Sequence, residues 1–155
     1  MASIGGGGSA GGPSAVTSEA VLRSALEAKG QRYTEQRAAV YRFLLGTVRH
    51  PTADEVFTAV RSEIPDISLA TVYKSLEALV GCGLAMKLTY GDAAARYDGN
   101  PAPHPHARCT SCGAVMDVPG RLDARALDDL GPVDGFIVQG YRLELVGRCG
   151  ACGTA

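Results

Sequence analysis

Two Cys-x-x-Cys pairs constrain this chain more than any other feature of its sequence. They are Cys109 with Cys112 and Cys149 with Cys152, and 36 residues separate them. Each pair places two thiolates on one tight turn, and four thiolates form a closed tetrahedral zinc site that has no position left for a substrate. Such a site ties two distant segments together and supplies folding free energy to a small domain. The sequence therefore predicts a structural Zn²⁺ site.

Two disulfides, or redox-active Cys-x-x-Cys motifs, are the alternatives to zinc. The N-terminus lacks a basic region followed by an apolar segment, and the chain has no run of 18 apolar residues. The sequence thus predicts neither secretion nor a membrane span, and we expect a cytoplasmic protein in which zinc is favoured over disulfides. The fifth cysteine, Cys82, follows an apolar helical pattern. It is predicted to be a small core residue, with a reactive thiol as the alternative.

A different donor set precedes the first cysteine pair. His104 and His106 are two residues apart, so on a strand they point to the same face. The chain then turns at Cys109 and returns towards Asp117, which we expect on the paired strand. Two imidazoles and one carboxylate suit divalent iron, manganese or zinc. The third histidine, His50, stands alone before a predicted helix, and by pattern alone it is a loop residue.

The first half of the chain carries four helical patterns and a hairpin. Met1 to Ala15 is rich in Gly, Ser and Ala and is predicted to be disordered. Helices are predicted after the capping residues Thr17 or Ser18, Thr34, Thr52 and Ser68. Two short strands, Leu84 to Tyr90 and Ala95 to Tyr97, flank a Gly-Asp turn. This order describes a winged helix-turn-helix whose fourth helix enters the major groove of DNA.

The net charge of the chain does not indicate DNA binding, but the distribution of its charged residues is compatible with it. The net charge is −1, but six basic residues and two acids lie between Arg23 and Arg49, whereas six basic residues and eight acids follow Gly91. The positive excess therefore lies where DNA phosphates would meet it, although a solvated helix face explains it equally well.

The second half changes character. We expect a disordered tail over 1–16, a winged-helix DNA-binding domain over 17–97, a hinge over 98–103, and a small α+β dimerisation and metal-binding domain over 104–155. In the last of these, a helix is predicted over Leu122 to Leu130 and a long strand over Gly135 to Arg148. Exposed apolar residues such as Leu143 and Leu145 predict a homodimer, which would place two reading helices on a palindromic DNA site.

Four stretches of this chain resemble the ferric uptake regulator family of bacterial metalloregulators. They are His50-Pro-Thr-Ala-Asp-Glu-Val, Ile67-Ser-Leu-Ala-Thr-Val-Tyr73-Lys-Ser-Leu, the run from His104 to Cys112, and the terminal Cys149-x-x-Cys152. The resemblance covers residues 18 to 152. It implies a metal-dependent repressor that has a winged-helix domain hinged to an α/β dimerisation domain, and it assigns the four cysteines to the family's structural zinc site.

The resemblance also implies a regulatory Fe²⁺ or Mn²⁺ site of the kind found in the peroxide-sensing branch. Its residues here are His50, Asp98, His104, His106 and Asp117. Iron-sensing members usually carry a glutamate where Asp117 stands, and Pro103 and Gly140-Tyr141 replace histidines of a further metal site. In that branch, bound ferrous iron reacts with hydrogen peroxide, a ligand histidine is oxidised, and the dimer opens. The protein is thus expected to control oxidative-stress genes, with an iron, zinc or nickel uptake regulator as the alternative.

DNA contacts are carried over from the family only in part. Tyr73 resembles the aromatic residue that packs on a thymine methyl group. Thr71 and Ser68 are predicted phosphate contacts, and Lys74 and Arg37 are predicted phosphate or base contacts. A zinc hydrolase or deaminase is the reading from another class, but it needs an open metal position and a glutamate next to a ligand histidine. Pro105 stands between the histidines and no glutamate follows nearby, so we expect no enzyme.

Overall fold

The computed structural model describes residues 15–120, 131, 133–137 and 142–153. The predicted disordered tail up to residue 14 and the predicted helix over Leu122 to Leu130 lie outside the described residues. Within them, four helices precede five short strands. The described part of the chain contains no helix of the length and apolarity that crossing a membrane requires.

The four helices are α1 (Ala15–Ala28), α2 (Glu35–Gly46), α3 (Ala53–Val60) and α4 (Leu69–Gly81). Three predicted caps are confirmed. Thr34 accepts from the backbone N–H of Arg37, Ser68 accepts from that of Thr71, and Thr52 forms a capping box with Glu55. Each cap satisfies N–H groups that the first helical turn leaves without partners, and contributes about 1 kcal/mol.

The predicted cap of α1 is wrong, because this helix begins at Ala15, two residues before Thr17. Alanine is the best helix former, so the helix extends through it and both predicted caps lie inside the first turn. The end of α4 is sharper. Cys82 is its C-cap, Gly83 has φ 70°, the N–H of Gly83 donates to Val80, and the N–H of Leu84 donates to Leu79. These bonds form a Schellman motif, which fixes the helix end.

One apolar core holds the four helices together. Its fully buried side chains come from every helix and from the second strand: Leu22, Leu26, Val40, Leu44, Val56, Val72, Leu76, Leu79 and Tyr97. Burial of each leucine stabilises the fold by roughly 1.5–3 kcal/mol. Cys82 packs against this core as a half-buried residue, as predicted.

A two-stranded sheet follows the helices. β1 (Met86–Leu88) pairs antiparallel with β2 (Arg96–Asp98) around Gly91, whose φ is 57°. The predicted strands were too long, because Leu84 completes the Schellman motif and Tyr90 accepts a turn hydrogen bond from Ala93.

The hairpin is anchored on α4 through Glu77. Tyr97 is almost fully buried, and burial raises the pKa of its hydroxyl to about 12, so it remains a proton donor. That hydroxyl donates to Glu77 Oε1 at 3.2 Å, and Lys87 Nζ donates to the same oxygen at 2.7 Å. The hairpin and the fourth helix are therefore joined by polar bonds as well as by the core.

A second sheet has three strands in the order β4-β3-β5, namely β4 (Val115–Asp117), β3 (His106–Cys109) and β5 (Glu144–Gly147). β3 pairs antiparallel with β4 and parallel with β5. The long predicted strand from Gly135 is wrong in its first part. Gly135 has φ 73° and the N–H of Phe136 donates to Val133, so the chain turns there. Leu145 is exposed as predicted, whereas Leu143 is half-buried.

Candidate metal centres

His50 is held in place by the second strand of the hairpin. It lies in the loop between α2 and α3, two residues before the cap Thr52, and it is only 3% exposed. Arg96 donates from Nη1 to the His50 carbonyl at 2.8 Å, and the N–H of Tyr97 donates to the Pro51 carbonyl at 2.9 Å. The His50 segment therefore runs along β2 and is fixed relative to Asp98, which ends that strand.

Asp98 is buried and its two carboxylate oxygens have different neighbours. Oδ1 accepts from the backbone N–H of Asn100 at 2.8 Å. Oδ2 faces the two neighbouring imidazoles and lies 3.0 Å from Nε2 of His104 and 3.4 Å from Nε2 of His106. The following residue, Gly99, presses against the end of α2, so that a Cβ there would lie 2.9 Å from the Leu44 carbonyl oxygen. Asp98 is thus the last residue of β2, and the close approach of Gly99 fixes the chain beside it.

The remaining three residues come from the three-stranded sheet and the segment before it. His106 opens β3 and is the register partner of Asp117 on β4, as predicted. The prediction that His104 shares this strand is wrong, because Pro105 has no N–H to donate to a ladder and the strand begins after it. His104 is oriented instead by its Nδ1, which donates to the Ala102 carbonyl at 2.6 Å and turns Nε2 towards the carboxylates.

These five residues meet in one cluster. One ligand atom from each of His50, Asp98, His104, His106 and Asp117 lies within 4.8 Å of every other. Asp117 Oδ1 is 2.7 Å from Nε2 of His50 and 2.8 Å from Nε2 of His104. Three imidazoles and two carboxylates form a mixed nitrogen and oxygen donor set that suits Fe²⁺ or Mn²⁺. The structure brings the predicted residues together, and their role as ligands stays a prediction.

The charges within the cluster are tuned by contact and burial. For His104, burial lowers the pKa, but hydrogen bonds to the Ala102 carbonyl and to Asp117 outweigh it, so the pKa is raised. For His106, burial prevails over the hydrogen bond to Asp98 and the pKa is lowered. Burial opposes the charge of Asp117, yet the two facing histidines lower its pKa. The cluster therefore holds a carboxylate ready for a cation.

Access to the cluster comes from one side. His50, Asp98 and His106 are buried, whereas the side chain of His104 is 15% exposed and that of Asp117 is 49% exposed. A small molecule from solvent therefore meets Asp117 and His104 first.

The four paired cysteines form the second cluster. The parallel pairing of β3 with β5 brings Cys109 and Cys149 to the same end of the sheet, where the N–H of Cys149 donates to Cys109 Sγ at 3.4 Å. All four sulfur atoms lie within 4.8 Å of one another, and none of these cysteines forms a disulfide. The predicted tie between two distant segments is present as two adjacent strands.

Hydrogen bonding shifts the pKa values of two cysteines in opposite directions. Backbone donation, first from Cys149, lowers the pKa of Cys109 to about 6. Hydrogen bonds from the other sulfur atoms, with Cys112 first, hold the proton on Cys152 and raise its pKa to about 12. A divalent ion that replaces this proton converts the set into four thiolates, which is the donor set of a structural zinc site.

The predicted DNA contacts all lie on or near α4 and α2. Tyr73 and Lys74 are exposed on α4, Tyr73 to 44%. The hydroxyls of Ser68 and Thr71 bond each other at 2.8 Å and cap the helix. Arg37 donates to the Arg32 carbonyl and to Gln31, so its guanidinium is engaged between α1 and α2. Contact of these residues with DNA stays a prediction.

Sequence reasoning missed the residues that hold the ligands in place. Arg96 supports His50, the Ala102 carbonyl orients His104, and Glu77 joins the hairpin to α4. The Arg96 and Glu77 bonds connect residues that are distant in sequence, so no local pattern indicated them.

Fold and clusters together define a class of protein. Four helices and a β-hairpin form a winged helix, a small sheet with a cysteine cluster follows, and a second cluster takes residues from both. This is the architecture of a metal-responsive DNA-binding protein.

Comparison with known proteins identifies the family. A model of the ferric uptake regulator family matches residues 28–145, and the chain belongs to this family. It is 40% identical over 136 residues to the peroxide operon regulator of Bacillus subtilis (strain 168), a match that covers 84% of this chain and 92% of that protein. Members of the family are transcriptional regulators, in agreement with the prediction that the chain is not an enzyme.

Solved structures share the architecture. The Campylobacter jejuni peroxide stress regulator is 27% identical, with a TM-score of 0.58 and coverage of 86% of this chain and 97% of that one. The Helicobacter pylori ferric uptake regulator has a TM-score of 0.73 at 18% identity, covers 93% of this chain and 97% of that one, and shows the common fold. The predicted fold class is thereby confirmed, while the domain boundaries stay predictions.

Proposed function

We propose that this protein is a metal-dependent transcriptional repressor that senses hydrogen peroxide through its histidine and aspartate cluster. The observation that carries the proposal is the origin of the five donors. His50 and Asp98 are fixed to the winged helix, whereas His106 and Asp117 belong to the three-stranded sheet and His104 precedes it. A cation bound by all five holds the two halves in one arrangement.

Electrostatics explains why this arrangement depends on metal. Asp98 Oδ2 and Asp117 Oδ1 both lie within 3.0 Å of the same His104 nitrogen, so two carboxylates approach each other across the two halves. Like charges at this separation repel, and a divalent cation between them removes the repulsion. Metal affinity for the closed arrangement then becomes DNA affinity through linkage.

Peroxide sensing is supported by likeness to the Bacillus subtilis peroxide operon regulator and by the exposure of one side of the site. Ferrous iron held by these five residues would supply the electrons for the reduction of hydrogen peroxide, and the three imidazoles would be the oxidisable groups beside it. His104 lies on the open side of the site, while His50 and His106 are buried. A modified histidine is a poorer donor, so the halves separate and the operator is released.

The winged helix is proposed to read DNA with α4. Tyr73 and Lys74 are exposed there, and a homodimer presents two such helices to a palindromic operator in the cytoplasm. Four mutually close thiols would leave no open coordination position on a bound zinc ion. No glutamate stands next to the described ligand histidines in the sequence to act as the catalytic base of a zinc hydrolase. An iron, zinc or nickel uptake regulator is the alternative within the same family.

The deciding experiment compares operator affinity under two metals. A palindromic operator selected from random DNA by the Mn²⁺-loaded protein serves as probe, and fluorescence anisotropy reports binding. We expect both Fe²⁺ and Mn²⁺ to support binding, and mild peroxide to abolish it only with Fe²⁺, with a mass gain of one oxygen atom on a peptide that contains a cluster histidine.

Asp117→Glu is the matched variant for this experiment. It keeps the charge and is expected to keep repression while it blunts the peroxide response. Iron-loaded wild-type protein that retains its operator affinity after peroxide rules out sensing and leaves the uptake regulator.

A further inference from the structure

A second contact joins the two halves without using any of the five donors. Tyr90, at the turn of the β1–β2 hairpin, has two guanidinium groups close to its ring. Cζ of Arg142 is 4.7 Å from the centroid of the Tyr90 ring, and Cζ of Arg108 is 5.4 Å from it. Arg108 is on β3 and Arg142 precedes β5, so both cations belong to the sheet that carries the cysteine cluster. Both distances are within the range of a cation–π interaction.

The two cations are presented to the ring in different ways. Arg108 donates from Nε to Glu144, which lies on the neighbouring strand β5 and is the register partner of His106. That ion pair orients the Arg108 guanidinium independently of the hairpin. Arg142 forms no ion pair within the described part of the chain, so its charge is free to face the ring.

Burial indicates that the ring, and not the hydroxyl, makes the favourable contact. The Tyr90 hydroxyl oxygen is buried and has no hydrogen-bond partner among the described residues. An unpaired buried hydroxyl costs free energy, because it gives up hydration without compensation. Leu88, two residues earlier, is 2% exposed although it is not part of the helical core, so the hairpin is covered on this side.

We propose that Tyr90 is a positioning residue of the switch. Its ring holds the hairpin against the metal-binding half only in the closed arrangement, and so sets the metal concentration at which the repressor engages. This inference rests on the proposed function, since it needs a closed arrangement that metal and DNA both favour. A protein whose closed form is less populated shows a weaker apparent metal affinity by the same factor.

The test pairs two substitutions at this position. Tyr90→Leu removes the π face, and loss of the two cation–π contacts is expected to weaken apparent Mn²⁺ affinity by about three- to tenfold. Tyr90→Phe keeps the ring and removes the unpaired hydroxyl, so its Mn²⁺ affinity is expected to equal or exceed that of the wild type. Competition with a chromophoric chelator measures both in the full-length zinc-loaded dimer.

Operator binding distinguishes positioning from direct contact. At saturating Mn²⁺, Tyr90→Leu is expected to bind the operator as tightly as the wild type, because the metal restores the closed arrangement. Zinc content and thermal melting check that the variant is folded. Persistent loss of operator affinity at saturating metal overturns the proposal in favour of a DNA contact or a damaged hairpin.

Further variants test whether the effect of Tyr90→Leu comes from the lost contact with arginine. Arg142→Gln is expected to produce part of the Tyr90→Leu effect, and the double variant to be no weaker than Tyr90→Leu alone; additive losses overturn the proposal. So does a Tyr90→Leu titration that matches the wild type, or a Tyr90→Phe titration as weak as that of Tyr90→Leu. The wild-type titration comes first: if Mn²⁺ does not change its operator affinity, the proposed function itself has failed, and not only this inference.

Discussion

The two donor clusters of this protein lie in adjoining segments of chain but are built on different principles. The cysteine cluster draws its four sulfur atoms from the end of β3 and from the turns that follow β3 and β5, which are hydrogen-bonded neighbours in one sheet. The histidine and aspartate cluster takes one donor each from the loop before α3, from β2, from the segment leading into β3, from β3 itself and from β4. A metal held by one rigid piece stabilises that piece, whereas a metal held by two pieces controls their arrangement.

The donor chemistry follows the same division. Four thiolates form a closed set for Zn²⁺, which has no redox cycle and fills its tetrahedron. Three imidazoles and two carboxylates form a set for ions that exchange more readily and, for iron, change oxidation state. Both the position in the fold and the type of donor thus suit the cysteine cluster to a metal ion that stays bound. They suit the histidine and aspartate cluster to a metal ion that binds reversibly.

The largest expected effect comes from removing one sulfur. Cys109→Ser should remove the zinc and unfold the three-stranded sheet or break the dimer, because structural zinc contributes roughly 10–16 kcal/mol to the folding of such modules. Elemental analysis and size-exclusion chromatography measure the loss. Cys82→Ser is the matched control, since Cys82 packs beside the helical core away from the cluster, and it should retain zinc. Full zinc content in Cys109→Ser contradicts the assignment.

Removal of a donor from the other cluster should leave the fold intact. His104→Ala or Asp117→Ala is expected to lower metal-dependent operator affinity by at least about 100-fold, the upper end of what losing an outer-shell partner costs. The dimer and its zinc should be unaffected. Anisotropy titrations with Mn²⁺ measure the effect, and a variant that still responds to Mn²⁺ contradicts the five-donor site.

A smaller effect is expected from a substitution at Gly99, which lies against the end of α2. Gly99→Ala places a Cβ 2.9 Å from the Leu44 carbonyl oxygen. Overpacking of this kind costs about 1–3 kcal/mol, and it should displace the neighbouring Asp98 and weaken Mn²⁺ binding. Gly46→Ala is the control, because a Cβ there meets nothing within 4 Å. Equal melting temperatures and Mn²⁺ affinities for both variants would contradict the close approach.

The smallest effect is expected from lowering the pH, which should weaken metal binding at the histidine and aspartate cluster and leave the cysteine cluster unchanged. Metal binding needs a neutral His104 imidazole, and the raised pKa of His104 keeps it protonated to a higher pH than an ordinary histidine. Lowering the pH from about 7.5 to 6 should therefore weaken Mn²⁺ binding by up to about tenfold for each unit below that raised pKa. Chelator competition across this range measures the slope, with zinc content unchanged. A flat profile contradicts the role of His104.

Local signals in the sequence predicted much of the helical half. Caps at Thr34, Thr52 and Ser68 were found because each forms its hydrogen bond three residues away. Strand lengths were overestimated where backbone bonds outside a ladder take over, as at Leu84. The spacing of the cysteines was enough to predict the cysteine cluster. His50, in contrast, lies 67 residues from Asp117, and only the resemblance to the family linked the two. No spacing rule indicated the contact of Tyr90 with Arg108 and Arg142.

The bond from Tyr97 to Glu77 has a consequence for how the operator is released. Asp98 is covalently next to Tyr97, so this proposed metal ligand and the helix α4 that is proposed to contact DNA belong to one stiff frame. Under the proposed function, loss of the ion leaves the structure of that frame unchanged and alters its orientation relative to the three-stranded sheet. In the proposed homodimer, two reoriented frames would miss the half-sites of a palindromic operator, whose centres stand about 34–36 Å apart on the duplex, so both half-sites would be lost together.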